Sequence, residues 1–357
     1  MPAGQWPGGS PVRGRAAPPD NNDLETTKMK SPCERILPRL VLACIALLSA
    51  VLPGAQPRAA TYPAKPVTFV VPFGAGSATD QLARALSASI TEQTGQPVVV
   101  ENRAGASGML AAQHVARAAP DGYSVLITTN TTQAANPFLF KRLPYDPAKD
   151  FAPVTLLGRG GQVLAVRADT PYRTVDDLVD RARKAPGKLS FGSGNSSSRM
   201  AGEMFKQLSH TDIVWVGYNS NPAALNDLLG GHIDMMVIDT VTGMPHIQSG
   251  RLRALGASTA QRLPQLPNVP TLDEAGIKGY DMGYWFAAYL PAGTPPAIVQ
   301  RLRELLVNAT RSQHARGFFA NSATEPWTST PEELGRFQAS ELGKWGRVVK
   351  AAGIEPE

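Results

Sequence analysis

Cysteine is almost absent from this chain of 357 residues. There are two, Cys33 and Cys44, and both lie within the first 44 residues. The long segment that follows has no thiol. Disulfide stabilisation and cysteine chemistry are therefore excluded for that segment.

The chain also lacks clusters of basic residues. It has 35 Lys and Arg against 29 Asp and Glu, a formal net charge of +6. Residues 1–61 carry seven of the basic and four of the acidic residues, so the remainder has a net charge of about +3. Without a Lys/Arg run, we predict no nucleic-acid partner.

A single long apolar run occurs, Leu40–Leu52. Basic residues between Lys28 and Arg39 precede it, and small residues near Ala60 follow it. This order is typical of a cleavable export signal, and the run is short for a membrane span. We predict that residues 1–60 are a disordered N-terminus plus signal peptide and that the mature protein is exported. An uncleaved anchor is the alternative.

Motifs for catalysis are missing. The sequence has no nucleophile elbow, no phosphate-binding lysine loop and no zinc-binding helix motif. None of the five histidines stands at ligand spacing from another metal-binding side chain: His114, His210, His232, His246 and His314. We predict a binding protein rather than an enzyme, with no cofactor and no metal.

What the sequence does contain is an alternation of strand and helix patterns. Predicted strands cover 66–72, 97–101, 123–129, 163–169, 189–194, 212–218 and 233–239. Predicted helices include 82–90, 108–119, 199–208, 224–231, 296–310 and 330–353. Thr174 with Asp177, and Thr330 with Glu333, have the spacing of capping boxes. This alternation predicts an α/β protein with mainly parallel sheets.

Four predicted strands end in loops of small polar residues. These loops are "FGAGSATD" (73–80), "TTNTTQAAN" (128–136), "FGSGNSSSRM" (191–200) and "GYNSNPA" (217–223). Ligands of open parallel sheets bind outside the carboxyl ends of the strands. Two loops come from each half of the chain, which predicts a ligand cleft between two α/β lobes.

The first of these loops resembles a dinucleotide-binding turn. Gly74 and Gly76 supply two glycines of that pattern, and Glu101 ends the next apolar run. Thr79 stands where the third glycine belongs, and Pro72 interrupts the strand. A dehydrogenase is therefore one hypothesis. The other is an anion-binding loop, because unpaired N–H groups at a helix start stabilise a carboxylate.

Three side chains allow two interpretations each. Asp80 either completes a helix cap with Ser77 or contacts a ligand. Tyr218 is either a core aromatic or part of the cleft wall. Asp239 ends an apolar strand, so it either caps the next turn or binds ligand. Trp327 and Trp345 are predicted to serve packing.

Several stretches resemble one known family. They include "YPAKPVTFVVPFGAGSATDQLAR", "AAPDGYSVLIT", "APGKLSFGSGNSS", "PAALNDLLGGHID" and "PAGTPPAIVQRL". In order and spacing the chain is similar, over 62–354, to the Bug-type periplasmic receptors of tripartite tricarboxylate transporters. The resemblance implies the type II periplasmic binding fold, with lobe one at 62–160 and 286–357 and lobe two at 161–285. It also implies a monomer that binds a small organic acid and delivers it to membrane transporter subunits, or alternatively to a sensor protein.

The resemblance also implies a site and shows where this chain departs from the family. Gly217 and Asn219 replace a proline and a lysine, and Arg199 or Met200 stands where a histidine is usual. The loss of the lysine suggests a less charged or amide-bearing ligand. The predicted ligand-binding residues are Phe73, Gly74, Ala75, Gly76, Ser77, Ala78, Thr79, Asp80, Asn130, Thr131, Ser193, Gly194, Asn195, Ser196, Ser197, Tyr218, Asn219 and Asp239.

Overall fold

Strands and helices alternate through the residues that the computed structural model describes, 62–351 and 353–356. The strands are β1 (Val67–Val71), β2 (Val98–Asn102), β3 (Ser124–Thr129), β4 (Phe151–Arg167), β5 (Ser190–Ser193), β6 (Val214–Gly217), β7 (Met235–Asp239), β8 (Leu252–Ala257), β9 (Gly283–Pro291) and β10 (Thr324–Pro326). The helices are α1 (Ala78–Thr94), α2 (Met109–Ala116), α3 (Asn136–Leu139), α4 (Val175–Lys184), α5 (Ser196–Ser209), α6 (Asn221–Gly230), α7 (Thr240–Gln248), α8 (Pro296–Thr310), α9 (Gln313–Ser322) and α10 (Pro331–Ala351).

The predicted export signal lies outside the described residues. Within 62–351 and 353–356, no helix has both the length and the apolar character that a membrane crossing requires.

Two sets of parallel strands carry the predicted loops. In one set β1 lies between β2 and β3, and in the other β5 lies between β6 and β7. The parallel register confirms the prediction from the strand–helix alternation. Because parallel strands point the same way, the loops after β1 and β3 lie at one edge, and those after β5 and β7 at another.

A long strand, β4, joins the two sets. Its first part pairs antiparallel with β9, from Phe151 opposite Pro291 to Gly161 opposite Gly283. Its remaining residues pair antiparallel with β7 and β8. The strand predicted over 163–169 is therefore too short, because β4 begins at Phe151. The predicted lobe boundaries at 160 and 286 lie close to this change of partner and stay a prediction.

The predicted helix caps are present. Thr174 and Asp177 form a reciprocal capping box at α4. At α10 the Thr330 N–H donates to Glu333 (2.8 Å), and the Glu333 N–H donates to the Thr330 hydroxyl (3.2 Å). Each cap satisfies N–H groups that a helix start leaves unpaired. These caps set where the helices begin and hence where the loops before them end.

Apolar side chains fill the space between sheet and helices. One buried cluster packs β1 and β9 against α1 and α8, and another packs β4 and β7 against α6. Trp345 is buried against the core, and Trp327 packs edge-on against Phe337, with ring centroids 4.9 Å apart. The prediction that both tryptophans serve packing is thus confirmed.

Candidate functional site

A cavity lies where the polar loops of the two strand sets meet. We call it the main cavity; its wall contains Phe73, Ser77, Ala78, Thr79, Thr129, Asn130, Gln162, Asn195, Ser197, Asn221, Asp239, Tyr284 and Phe286. The space open to the centre of a water molecule is about 30 Å³, which is room for about two waters. In this conformation the cavity accommodates one small polar group.

Four helices begin at the main cavity. Ser77 precedes α1, Asn195 precedes α5, Asn221 is the first residue of α6 and Asp239 precedes α7. A helix start carries unpaired N–H groups and a partial positive charge of about half a unit. No Lys or Arg belongs to the described wall of this cavity. Its attraction for an anion therefore comes mainly from backbone groups and helix dipoles.

The loop before α1 has the backbone of a capped helix start. The Ser77 N–H donates to the carbonyl of Gly74 (3.1 Å), and the Ser77 hydroxyl accepts from the Asp80 N–H (3.3 Å). Gly76 adopts a φ of 79°, which is left-handed and favours glycine. Ser77, Ala78 and Thr79 then line the cavity. The loop thus brings the first turn of α1 to the cavity.

The Asp80 carboxylate is used within the protein. It accepts hydrogen bonds from the Gly76 N–H (2.9 Å), Arg84 Nε (3.0 Å) and Asn102 Nδ2 (3.0 Å), and its side chain is 3% exposed. Burial opposes the charged form, but the hydrogen bonds from Arg84, Gly76 and Asn102 outweigh it and lower the pKa of Asp80. Asp80 is not among the described residues that line the main cavity. Its contacts hold the shape of the loop.

Two buried amide side chains face the cavity from the β3 and β4 side. Asn130 Nδ2 donates to the Ser197 hydroxyl (3.3 Å) and to the Gly283 carbonyl (3.4 Å). Asn130 Oδ1 and Gln162 Oε1 are buried and have no hydrogen-bond partner among the described residues. A buried amide oxygen without a partner is costly. These atoms are therefore suited to accept a hydrogen bond from a ligand or from a bound water molecule.

The loops after β5 and β6 pack closely together and form the wall opposite Asn130 and Gln162. The Gly194 N–H donates to Asn221 Oδ1 (2.9 Å), and the Ser198 hydroxyl donates to the same oxygen (3.0 Å). A Cβ on Gly194 would lie 1.9 Å from the carbonyl carbon of Ser220. Gly194 is therefore required for this close approach. This packing places Asn195 and Asn221 side by side in the wall.

Of the two roles that the sequence left open for Asp239, the structure shows the helix cap, and ligand binding stays a prediction. As N-cap of α7 it accepts from the Thr242 N–H (2.8 Å), and its other oxygen accepts from Asn221 Nδ2 (2.7 Å). It also lines the main cavity and is the one charged residue in the described wall. A ligand anion is therefore expected near the start of α1, away from Asp239.

A second cavity opens beside the first. We call it the outer chamber; its wall contains Ala106, Ser107, Phe140, Ser193, Asn195, Arg199, Trp215, Gly217, Tyr218 and Asn219. The space open to the centre of a water molecule is about 230 Å³. Asn195 belongs to both walls. The two cavities are therefore neighbours and share one side chain.

Tyr218 borders the outer chamber rather than the main cavity. Its hydroxyl donates to Asp227 (2.7 Å), while its ring packs against the buried cluster beneath β7. Desolvation and the hydrogen bond to Asp227 raise the pKa of Tyr218 to about 12. The side chain is thus both a packing residue and part of a cavity wall, and it is neutral near pH 7.

The predicted site residues separate into three groups. Those in the main cavity are Phe73, Ser77, Ala78, Thr79, Asn130, Asn195, Ser197 and Asp239. Those in the outer chamber are Ser193, Asn195, Tyr218 and Asn219. Gly74, Ala75, Gly76, Asp80, Thr131, Gly194 and Ser196 line neither cavity. Ligand contact by any of these residues stays a prediction.

Sequence reasoning missed part of the main cavity wall. The residues missed are Thr129, Gln162, Asn221, Tyr284 and Phe286. Asn221 lies in the predicted polar loop 217–223, so its place at the cavity could have been predicted from the sequence. Gln162, Tyr284 and Phe286 lie on the antiparallel strands β4 and β9. No local signal marks such positions, because only the sheet pairing brings them to the cavity.

The described residues offer no site for a metal ion. No group of three or more His, Cys, Asp or Glu side chains converges within 62–351 and 353–356. The polar groups of the main cavity are amides, hydroxyls, backbone N–H groups and one carboxylate. Such a set binds small polar or anionic molecules through hydrogen bonds.

The chain is similar in sequence to a receptor family and to individual proteins. A family model described as the tripartite tricarboxylate transporter family receptor matches residues 82–354. A UPF0065 protein from the tcbD-tcbE intergenic region of Pseudomonas sp. strain P51 is 35% identical over 314 residues, which cover 87% of this chain and 93% of that protein. Protein BugT of Bordetella pertussis is 32% identical over 319 residues, covering 88% and 98%.

Solved structures show the same fold. Rpa4515 of R. palustris, solved with adipate, has a TM-score of 0.80 and 34% identity, covering 83% of this chain and 100% of that one. MatC of Rhodopseudomonas palustris, with bound malate, has a TM-score of 0.77 and 31% identity, covering 81% and 100%. The periplasmic binding protein BugD is similar at a TM-score of 0.80 and 32% identity, covering 83% and 100%. These similarities confirm the predicted two-lobed α/β fold.

Proposed function

Because this chain belongs to the tripartite tricarboxylate transporter receptor family, we propose that it captures a small organic acid and delivers it to a membrane transporter. The proposed place of capture is the main cavity between the two lobes, and the proposed compartment is the periplasm. The family consists of substrate-binding receptors of the periplasmic type. The acid is the ligand of a receptor and undergoes no reaction.

The observation that carries this proposal is that four helices begin at one cavity. The described residues that line this cavity include no Lys or Arg. Aligned N–H groups at helix starts stabilise a carboxylate without a paired cation. The related structures with adipate and with malate support an organic acid as the class of ligand.

Each part of the wall has a proposed role. The first turn of α1, with Ser77 and Thr79, receives a carboxylate of the ligand. Asn130 and Gln162 accept hydrogen bonds from ligand hydroxyl groups or from water, since their buried oxygens have no partner among the described residues. Asp80 acts indirectly, because its bonds to Gly76, Arg84 and Asn102 keep the loop in shape.

Binding is proposed to accompany closure of the lobes. Two contacts join loops on opposite sides of the cavity: Asn130 to Ser197 (3.3 Å), and the Ser196 hydroxyl to Asn136 Oδ1 (2.7 Å). The cavity between them is too small for a whole organic acid, so these contacts must open for entry. The proposed hinge lies where β4 changes partner, near Gly160 and Gly161.

The family to which the chain belongs supports delivery to a transporter rather than to a sensor protein. The closed, ligand-bound receptor is the species that either partner would recognise. Uptake of a labelled acid by cells with and without this receptor distinguishes the two. Loss of uptake in its absence supports transport, and unchanged uptake with loss of an acid-induced response supports sensing.

The binding role is tested by Thr79→Val, which removes one hydroxyl and keeps the shape of the side chain. A hydrogen bond to a charged group contributes about 1.5–3 kcal/mol. We therefore expect the affinity for the acid, measured by calorimetry, to fall by about tenfold or more. Thr328→Val is the matched control, since Thr328 lines neither cavity. Equal affinity of both variants and the wild type would contradict the proposed position of the carboxylate.

A further inference from the structure

One side chain crosses the strand that contains the proposed hinge. Tyr284 on β9 lies opposite Gly160 on β4, and Thr324 on β10 lies opposite Gly160 on the other edge of the same strand. The Tyr284 ring covers Gly160, because a Cβ at that position would overlap the Tyr284 hydroxyl. The missing side chain at Gly160 therefore lets the hydroxyl reach Thr324 two strands away (3.1 Å).

The Tyr284 hydroxyl has a second partner at the start of α7. Tyr284 Oη lies 3.1 Å from Thr240 Oγ1, and both contacts of the hydroxyl are buried. Thr324 donates its own proton to the Ser322 carbonyl (3.4 Å), so it accepts from Tyr284, which in turn accepts from Thr240. We call this series the hydroxyl chain; it consists of Thr240, Tyr284 and Thr324.

The two ends of the hydroxyl chain belong to opposite sides of the proposed hinge. Thr240 follows β7, which pairs with the last part of β4, whereas β10 pairs with the middle part, 158–160. We propose that Tyr284 is a positioning residue that stabilises the closed arrangement of the lobes, because it joins Thr240 to Thr324 across Gly160. This proposal rests on the proposed function, in which closure of the lobes accompanies binding of an acid.

The hydroxyl chain also connects the hinge to the wall of the main cavity. Thr240 follows Asp239, which lines that cavity and accepts from Asn221 Nδ2 (2.7 Å). Asn221 is a wall residue as well. A displacement of Thr240 would therefore move the part of the wall that Asp239 and Asn221 form. Through this connection Tyr284 influences the cavity without contacting a ligand.

The Tyr284 ring has open space on two sides. It borders the main cavity and a further cavity behind the hinge, in which about 490 Å³ is open to the centre of a water molecule. The wall of this rear cavity includes Arg262, which follows β8, and Trp327, which follows β10. Burial raises the pKa of Tyr284 above its usual value, so the hydroxyl keeps its proton. Hydrogen bonds, besides packing, therefore hold the ring in place.

The test uses Tyr284→Phe, Thr324→Val and the double variant. Each substitution removes one hydroxyl of the chain and nearly keeps the size of the side chain, and Thr324 lines none of the three cavities described above. Thr310→Val is the matched control, because it removes a buried hydroxyl that donates to the Val307 carbonyl (2.8 Å) at the end of α8. The melting temperatures of the ligand-free proteins verify folding.

Two properties are measured for each protein. Calorimetry and stopped-flow fluorescence give the affinities and release rates for succinate, malate, adipate and citrate. Energy transfer between dyes on Lys141→Cys and Asp176→Cys reports the distance between the lobes, with and without each acid. Both positions are exposed, and Cys33 and Cys44 are replaced by serine so that only the introduced cysteines react.

We expect Tyr284→Phe and Thr324→Val each to bind the acids about three- to tenfold more weakly, mainly through faster release, because each loses one hydrogen bond of the closed form. In both variants the dyes should lie further apart than in the wild type, also without ligand. The double variant should be no weaker than the weaker single variant. Thr310→Val should keep the affinity and the distance of the wild type.

Three results would overturn the positioning role. They are weaker binding in Tyr284→Phe with wild-type affinity in Thr324→Val, additive losses in the double variant, and an unchanged distance between the dyes in both single variants. A wild type that binds none of the acids overturns the proposed function instead. The distances in the ligand-free variants then still decide whether Tyr284 stabilises the closed form.

Discussion

Replacement of Asn130 by aspartate puts a negative charge into the main cavity with almost no change of size. Asn130 is fully buried and lines the cavity, which already contains the carboxylate of Asp239. At an effective dielectric constant of about 20, a ligand carboxylate about 6 Å away is repelled by about 3 kcal/mol. We therefore expect Asn130→Asp to weaken binding of an organic acid by about a hundredfold at neutral pH.

The same substitution also removes the Nδ2 donor that contacts Ser197 and Gly283. Asn130→Leu separates the two effects, because it removes the donor and adds no charge. Asn308→Asp, at an exposed position of α8, controls for the change of net charge. Calorimetry at several values between about pH 5.5 and 8 gives the affinities, and the melting temperature of the ligand-free proteins verifies folding.

The loss of ligand affinity in Asn130→Asp should depend on pH in one direction. Burial near Asp239 raises the pKa of the introduced carboxyl above the usual value of about 3.9. Protonation at lower pH removes its charge, so the deficit of Asn130→Asp shrinks as the pH falls, while that of Asn130→Leu stays constant. A deficit that is independent of pH and equal in both variants would refute the electrostatic reasoning. So would wild-type affinity in Asn130→Asp at neutral pH.

Further variants test the loops around the two cavities. Asp80→Asn should lower the unfolding free energy by about 1–3 kcal/mol at pH 7 and weaken binding. Because folding lowers the pKa of Asp80, the loss of stability is complete above about pH 4 and shrinks below it. Urea titrations at several pH values measure this loss. Tyr218→Ala should weaken ligand binding without unfolding the protein, and wild-type affinity by calorimetry would argue against a role for this wall. Gly194→Ala should cost more than about 3 kcal/mol, because its Cβ would overlap the backbone of Ser220. Gly317→Ala, where a Cβ meets nothing within 4 Å, should instead raise the melting temperature, since alanine in a helix is more stable by about 0.5–1 kcal/mol.

The sequence predicted the features that depend on neighbouring residues. The caps at Thr174 and Thr330 are examples, because cap and partner are three residues apart. The strands with parallel register were predicted for the same reason, as each is a short apolar run followed by turn residues. The start of α1 directly after its N-cap Ser77 also follows from local spacing.

The antiparallel strands β4, β8 and β9 could not be predicted in the same way. β4 contains Pro153 and several glycines, and shifts of register near Pro153 and Leu156 accommodate them in the sheet. β8 and β9 lack the clear alternation of apolar and polar residues that marks a half-buried strand, since β9 is buried along nearly its whole length. The pairing of β9 with β4 joins residues more than a hundred positions apart, that of β8 with β4 joins residues 85 to 94 positions apart, and no local pattern contains that information.

The residues of the site also divide into those that local sequence predicts and those that only the pairing of distant strands brings together. The polar loops after β1, β3 and β5 were predicted to meet, and the structure brings them to one cavity. Gln162 and Tyr284 reach that cavity through the pairing of β4 and β9, so the sequence gives no sign of them. The separation of Tyr218 and Asn219 into an outer chamber also depends on packing, because the side chain of Trp215 and the start of α5 define that chamber.

The most direct test of the account is a thermal-shift screen of the purified protein. The panel contains dicarboxylates, tricarboxylates, aromatic acids, amino acids, neutral amides and NAD. A ligand at about a hundred times its dissociation constant stabilises the folded protein by about 2.7 kcal/mol, which is a readable shift. We predict a rise in melting temperature with one or more small organic acids. A rise with neutral amides or NAD alone, and with no acid, would contradict the proposal that the main cavity binds a carboxylate.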